Sequence, residues 1–249
     1  MKHINITEII KNKGILHVVK SGFDIMLCKL ERHSNCYYHK LFHHNHNFDF
    51  QGVKYFYFYH RYNMTWTNER CVEIPICKRI ILMYEESKIL EVGNVLSNYF
   101  ETRYDIIDKY DINDKVVNVD VVDFKTTKKY DLIMSISTME HVGWDENTYG
   151  AFLSQKEPQK VIDGINNLRD CLTEKGLLII TIPVGYNSNL DESLKYGLIL
   201  YTEIACLKRI SKHSWVECSW DECNHIKYDF PFIGANALVI LFIKKGDGV

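Results

Sequence analysis

The stretch Lys88-Ile-Leu-Glu-Val-Gly-Asn-Val-Leu-Ser97 decides how the rest of the chain reads. A short apolar run, Lys88 to Val92, contains a carboxylate, Glu91, and then meets Gly93, where the backbone can turn tightly beneath a ligand. Apolar runs rich in Ile and Val then alternate with polar or helix-periodic segments, the pattern of strands buried on both faces and joined by crossovers. The further runs are Tyr104 to Asp108, Val116 to Val119, Tyr130 to Ser135 and Gly176 to Ile182. Between the last two, Val161, Ile162, Ile165, Leu168 and Leu172 recur at helical spacing, and Gly176 closes the segment. This wiring is βαβ, so a mostly parallel sheet is expected. After Pro183 the pattern predicts a short helix over Leu190 to Tyr196. Strands over Trp215 to Trp220 and Ala235 to Lys244 are expected to pair antiparallel.

Ligands of open parallel sheets bind beyond the carboxyl ends of the strands, so the residues after each run carry the chemistry. A dinucleotide would need G-x-G-x-x-G at the first end, yet Val95 and Leu96 follow Asn94 there, and a cofactor that brings no phosphate fits better. Asp108, at the second end, lies near the roughly 20-residue offset at which an acid accepts from ribose hydroxyls. Asp120, at the third, could accept from the exocyclic amine of adenine. The fourth end runs Tyr130-Asp-Leu-Ile-Met-Ser-Ile-Ser-Thr-Met-Glu140-His141-Val-Gly143-Trp144, with Ser137 inside it.

These residues resemble the class I S-adenosylmethionine-dependent methyltransferases, over about Pro75 to Lys244. The likeness runs through Leu90-Glu-Val-Gly93, Asp108, Asp120, Tyr130-Asp-Leu-Ile133 followed by Glu140-His-Val142, and Leu172-Thr-Glu-Lys-Gly176-Leu-Leu-Ile-Ile-Thr-Ile-Pro183. The resemblance implies a Rossmann-like α/β fold, with a seven-stranded, mostly parallel sheet and an antiparallel last strand. It also implies S-adenosyl-L-methionine as cofactor, bound by Glu91, Gly93, Asn94, Asp108, Asp120 and Ser137. Glu-Val-Gly-Asn-Val-Leu-Ser and Ile-Ser-Thr-x-Glu-His-Val-Gly-Trp-Asp look like an uncharacterised branch often associated with cell-surface glycan synthesis. The expected activity is therefore methylation, at oxygen, of a sugar, glycan or small-molecule acceptor. The sequence departs from the family loop, acidic-x-Gly-x-Gly-x-Gly, by placing Val95 and Ser97 where later glycines would stand. That departure keeps open a methyltransferase-like binding protein without catalysis; a nicotinamide oxidoreductase is disfavoured by the missing glycines. His141 is the candidate general base, because an imidazole titrates near neutrality and this one follows a strand end; a structural or cofactor-side role is the alternative.

The composition sets outer limits. Thirty Lys+Arg against 32 Asp+Glu leave no basic footprint for nucleic acid or an anionic bilayer. A 46% hydrophobic, 13% aromatic chain is not a disordered one. No run of about 18 apolar residues and no signal-like start occurs, so a cytoplasmic protein without stable membrane insertion is expected. Eight cysteines without a C-x-x-C pair read as reduced thiols. The sequence does not decide the oligomeric state.

Residues 1–74 are expected to form a cap or lid over a catalytic domain of 75–249. Helical patches over Ile4 to Leu30 precede an aromatic strand or hairpin, Phe48 to Met64, turning at Gln51-Gly52; a helix from about Pro75 to Glu85 leads into the sheet. The apolar stretch Ile15 to Leu30 reads as a cap helix rather than a membrane-surface one, since Lys20 and Lys29 are its basic residues. Tyr55 to Tyr62 read as core-packing aromatics. Acceptor contacts are expected from Tyr62, Asn63, Trp66 and Arg70 of the cap, from Trp144, Asp145 and Glu146 after His141, and from Tyr186 and Asn187. His39, His43, His44 and His46, with Cys36 nearby, have helix-face spacing but no matching carboxylate set, and are read as an exposed polar turn rather than a metal site.

Overall fold

The computed structural model describes residues 15–145 and 156–246. The amino-terminal part holds helix α1 (Ile15–Phe42), a hairpin of β1 (Asn47–Phe50) and β2 (Val53–Phe56), a 3-10 turn at Tyr62–Thr67 and helix α2 (Arg70–Ile81). Next come β3 (Ile89–Val92), β4 (Asp105–Ile107), β5 (Val116–Val117), β6 (Tyr130–Ile136), α3 (Pro158–Asp170) and β7 (Leu172–Pro183). The chain continues through α4 (Ser188–Lys195), β8 (Glu203–Ser211), β9 (Ser214–Cys218), the short α5 (Trp220–Cys223) and β10 (Ala237–Lys244).

Eight of these strands form one sheet in the order β5-β4-β3-β6-β7-β10-β8-β9. Pairing is parallel from β5 to β7, and β10 lies antiparallel between β7 and β8. The expected mostly parallel sheet with a reversed last strand is thus present, widened by β9 at the edge. The expected pairing of the last two strands is corrected: β10 pairs with β8, and β9 pairs with the other side of β8. Lys208 and Arg209 disguise β8 in the sequence. Arg209 is nevertheless buried, donating to Ile233 O (3.1 Å) and Lys212 O (2.6 Å), so its charge does not mark a loop.

Each sheet face carries an apolar layer. On one, Leu90, Ile133, Leu178, Ile180 and Val239 pack with Val161, Ile165 and Leu168 of α3 and with Leu190 and Leu194 of α4. On the other, Leu132, Met134, Ile136, Ile179 and Leu207 pack with Val72, Ile74 and Ile76 of α2 and with the amino-terminal aromatics. That apolar face fixes where α2 begins. The helix starts at Arg70 rather than near Pro75 and ends at Ile81; Pro75 and the expected 74/75 division lie inside it.

The hairpin turns at Gln51 and Gly52, both at positive φ (48° and 69°), as a two-residue connection requires. It docks on β9: Gln51 N donates to both carboxylate oxygens of Glu217 (3.0 and 3.1 Å), and Trp215 N donates to Tyr57 Oη (2.7 Å). Tyr57 and Tyr59 are buried, consistent with core packing. The histidine stretch is not uniformly exposed. His39 is buried among Tyr59, Trp66, His43 and His213, with ring centroids 5.0 to 5.7 Å away, and burial lowers its pKa to about 4. Among the described residues no helix is long and apolar enough to cross a membrane, and no group of three or more His, Cys, Asp or Glu is arranged to hold a metal ion. Cys36, Cys71, Cys77, Cys171, Cys206, Cys218 and Cys223 are free thiols.

Candidate active site

A cavity of about 450 Å³ opens at the carboxyl ends of β3, β4, β5 and β6. This volume lies in the range of small-ligand sites. The strand order lays out its floor. Asp120 lies beyond β5, Asp108 follows β4, Gly93 follows β3, and Ser137, Thr138 and His141 follow β6.

At the β3 end, Gly93 has φ +84°, and its amide donates to Ile107 O at 2.8 Å. A Cβ there would lie 2.2 Å from Thr138 Oγ1, so glycine is what lets the β3 and β6 loops meet. The chain then makes a single 3-10 turn, Leu96–Asn98. A long helix amino terminus of the kind that cradles a pyrophosphate is not built at this loop, in keeping with a cofactor that brings no phosphate. Glu91 supports the loop from below. Fully buried, it accepts from Val95 N (2.9 Å), Leu96 N (2.7 Å) and Tyr104 Oη (3.0 Å). Burial pushes its pKa up to about 7 against those hydrogen bonds.

Asp108 holds the next loop: Oδ1 accepts from Tyr110 N (2.7 Å) and Asp111 N (2.8 Å), and Oδ2 from Asn94 N (3.1 Å). Two carboxylate oxygens offer about four acceptor sites, so the group retains capacity for a ligand hydroxyl. Asn94 Nδ2 donates to Asp111 Oδ2 at 2.6 Å. Asp120 is paired with Lys109 (2.7 Å) and Lys160 (2.8 Å). Burial opposes its charge, but the hydrogen bonds from those lysines hold its carboxyl below the usual range.

At the β6 end, Ser137 adopts φ +37°, an unusual conformation for a residue with a side chain. His141 Nδ1 lies 2.8 Å from Asp145 Oδ1, and its Nε2 lies 3.8 Å from Glu140 Oε1. Tyr186 Oη donates to Asp145 Oδ2, and its ring stands edge-on to His141 at 4.9 Å. Asp145 and Tyr186 thus stand behind His141 and do not line the cavity. With a carboxylate at Nδ1, the imidazole carries its proton there and Nε2 is the basic nitrogen.

Of the other expected acceptor residues, Tyr62 and Arg70 line the cavity. Trp66 does not, being buried against His39, and Asn63 instead uses its backbone oxygen to accept from Asn68 Nδ2 (2.8 Å). Asn187 caps α4 through Asn189 N and Leu190 N and donates to Glu140 O at 2.8 Å. Trp144 has the Lys156 ammonium 3.1 Å from its ring centroid, and Glu146 lies outside the described residues.

The sequence reading missed the polar cluster beneath Arg70. Glu69, Glu73 and Glu140 are all buried there, and Arg70 lies 2.6 Å from Glu73. Burial, reinforced by Glu73, raises the Glu69 pKa, and burial raises that of Glu140. Burial opposes the Arg70 charge, but Glu73, Glu69 and Glu140 more than restore it. A signal was available: Glu69, Arg70 and Glu73 interrupt an otherwise apolar helix face, and charges so placed are buried charges.

No family model and no curated protein matches the chain. Among solved structures it is similar to the N-methyltransferase NodS from Bradyrhizobium japonicum in complex with S-adenosyl-L-homocysteine: 11% identity, TM-score 0.39, covering 65% of this chain and 79% of that one. It is also similar to an S-adenosylmethionine-dependent methyltransferase from Clostridium acetobutylicum: 11% identity, TM-score 0.36, covering 69% and 89% of the two chains. A third is a TehB-like methyltransferase from Corynebacterium glutamicum: 16% identity, TM-score 0.37, covering 68% and 86%. The strand order stands on its own: a Rossmann-like sheet, parallel from β5 to β7, with β10, β8 and β9 running on antiparallel from β7.

Proposed function

We propose that this chain binds S-adenosylmethionine and transfers its methyl group to an oxygen of a sugar, glycan or other small-molecule acceptor. The observation that carries the reading is one cavity spanning four adjacent strand ends, with carboxylates at its β4 and β5 end and His141, backed by Asp145, at its β6 end. The residues fit the cofactor. Asp108 has acceptor capacity for ribose hydroxyls, and the Gly93 turn brings bare backbone to the cavity wall.

When bound, S-adenosylmethionine supplies an electrophilic methyl group on a sulfonium. The chain's own work is to align an acceptor hydroxyl with that group and to take its proton. Alignment contributes about 7 to 11 kcal/mol in favourable cases, and a positioned base about 10² to 10⁴ in rate. His141 Nε2 receives the proton; Asp145 fixes the ring and stabilises the imidazolium. The near balance of charge on the whole chain favours a small acceptor over nucleic acid.

Titration with S-adenosylhomocysteine tests the cofactor: binding is expected, with Asp108→Ala weakening it by about 1.5 to 3 kcal/mol. Methyl transfer to a panel of glycans and small hydroxyl compounds tests the reaction. His141→Ala is expected to slow it about 10²-fold or more while leaving cofactor affinity nearly unchanged. Cofactor binding without transfer to any acceptor would support a binding protein instead.

A further inference from the structure

Glu73 accepts from Ser137 Oγ (2.6 Å) and Thr181 Oγ1 (2.5 Å) through Oε1, and pairs with Arg70 Nη1 (2.6 Å) through Oε2. Its side chain is fully buried, and among the described residues these three partners satisfy it. Two of the three, Arg70 and Ser137, line the cavity. Arg70 in turn reaches the backbone oxygens of Ile136 (3.3 Å) and Ser137 (3.4 Å), while Ser137 N donates to Thr181 O (3.1 Å) and Oγ1 (3.0 Å). Every polar group of Ser137 is therefore held while its backbone sits at φ +37°. Such a conformation persists only where the surroundings over-determine it.

The same carboxylate has a second effect. The guanidinium of Arg70 lies on the wall of the cavity that, in the function proposed above, receives a sulfonium cation. An unpaired guanidinium there would repel it; a partner at 2.6 Å makes the wall locally neutral. Of the three carboxyls that favour the Arg70 charge, Glu73 contributes most and makes the 2.6 Å ion pair, while burial raises the pKa of Glu69 and Glu140.

We propose that Glu73 is a positioning residue of the cofactor site, which clamps Ser137 at the end of β6 and neutralises Arg70, so that the cavity admits a cationic sulfonium as readily as a neutral thioether. This rests on the reading of the cavity as an S-adenosylmethionine site. Charge separates the effect from ordinary structural support. Damage to the fold weakens S-adenosylmethionine and S-adenosylhomocysteine alike, whereas an uncompensated Arg70 penalises the sulfonium alone.

The test is calorimetric titration of the full chain with both compounds. Glu73→Gln keeps the shape and an oxygen for the two hydroxyls but removes the charge. It is expected to widen the ratio of the S-adenosylmethionine Kd to the S-adenosylhomocysteine Kd by about tenfold. The double variant Glu73→Gln with Arg70→Gln, lacking both charges, is expected to bring the ratio back toward the wild-type value, whatever it does to either affinity. Equal losses for both compounds in Glu73→Gln, or a ratio the double variant leaves wide, would overturn the charge role. Should Glu73→Gln fail to fold, Arg70→Gln alone decides: it is expected to narrow the ratio below wild type, and an unchanged or wider ratio overturns the proposal. Binding of neither compound by the wild-type chain would instead remove the reading beneath it.

Discussion

Gly93 and Glu91 show how one short sequence divides its labour. At Gly93 a β-branched side chain would meet both a left-handed backbone and Thr138 Oγ1 at 2.2 Å. Gly93→Val is therefore expected to part the β3 and β6 loops and to weaken S-adenosylhomocysteine at least about tenfold, read by titration. Glu91 works out of the ligand's sight, and its signature is pH. In the unfolded chain it ionises near its ordinary value of 4.5, whereas folded it keeps its proton up to about 7. Between these values the native state binds more protons, so stability falls as pH rises, by about 3 kcal/mol across the window; the contribution is whole below 4.5 and gone above 7. Glu91→Gln can accept from the same amides, and its unfolding free energy, followed by denaturant titration, is expected to lack that decline relative to wild type. A slope identical to wild type would assign the pH response elsewhere. The acidic residue in the turn was legible in the sequence. Its orientation was not, because a carboxylate beside a glycine turn reads the same whether it faces a ligand or the loop's own amides.

Strands with strong apolar runs were legible as elements, and so were α3 and α4. The missed elements share one cause: burial hides charge and moves boundaries. β8 carries Lys208 and Arg209, and α2 begins at a charged Glu69-Arg70 pair, yet tertiary partners satisfy the buried charges and the elements form. The junction after β7 illustrates how elements brace the site. Asn187 Oδ1 caps α4, while its Nδ2 satisfies the Glu140 carbonyl beside His141. Asn187→Ala removes both and is expected to destabilise the fold by about 2 kcal/mol, from a lost cap and an orphaned buried carbonyl. Asn187→Asp keeps the cap oxygen but not the donor, so its melting temperature should fall between those of wild type and the alanine variant. If the two variants melt together, the cap does not contribute.

At the scale of the whole molecule, the order of strand ends was readable, and it placed Gly93, Asp108, Asp120 and Ser137 along one cavity wall. How the amino-terminal segment meets the sheet was not readable, because aromatic alternation predicts a half-buried strand without naming the surface that buries it. The hairpin lies against β9 through Glu217 and Trp215, at the antiparallel edge, and from this segment Tyr62 and Arg70 reach the cavity. Phe48, Phe50, Tyr57, Tyr59 and Trp66 share an apolar layer with Leu132, Met134, Ile136, Ile179 and Leu207 of the central strands. A chain starting at Pro75 would open α2 in its middle, discard Arg70 and Glu73, and expose that layer along half of the sheet. Burying one such aromatic contributes about 1.5 to 3 kcal/mol, so losing five removes about 7.5 to 15 kcal/mol, comparable to the whole 5 to 15 kcal/mol by which domains are usually stable. The truncated chain is therefore expected to lose its near-ultraviolet circular dichroism and cooperative melting while binding a hydrophobic dye. Should it melt cooperatively and bind S-adenosylhomocysteine as the full chain does, the amino-terminal segment would be a separable lid over an independent catalytic domain.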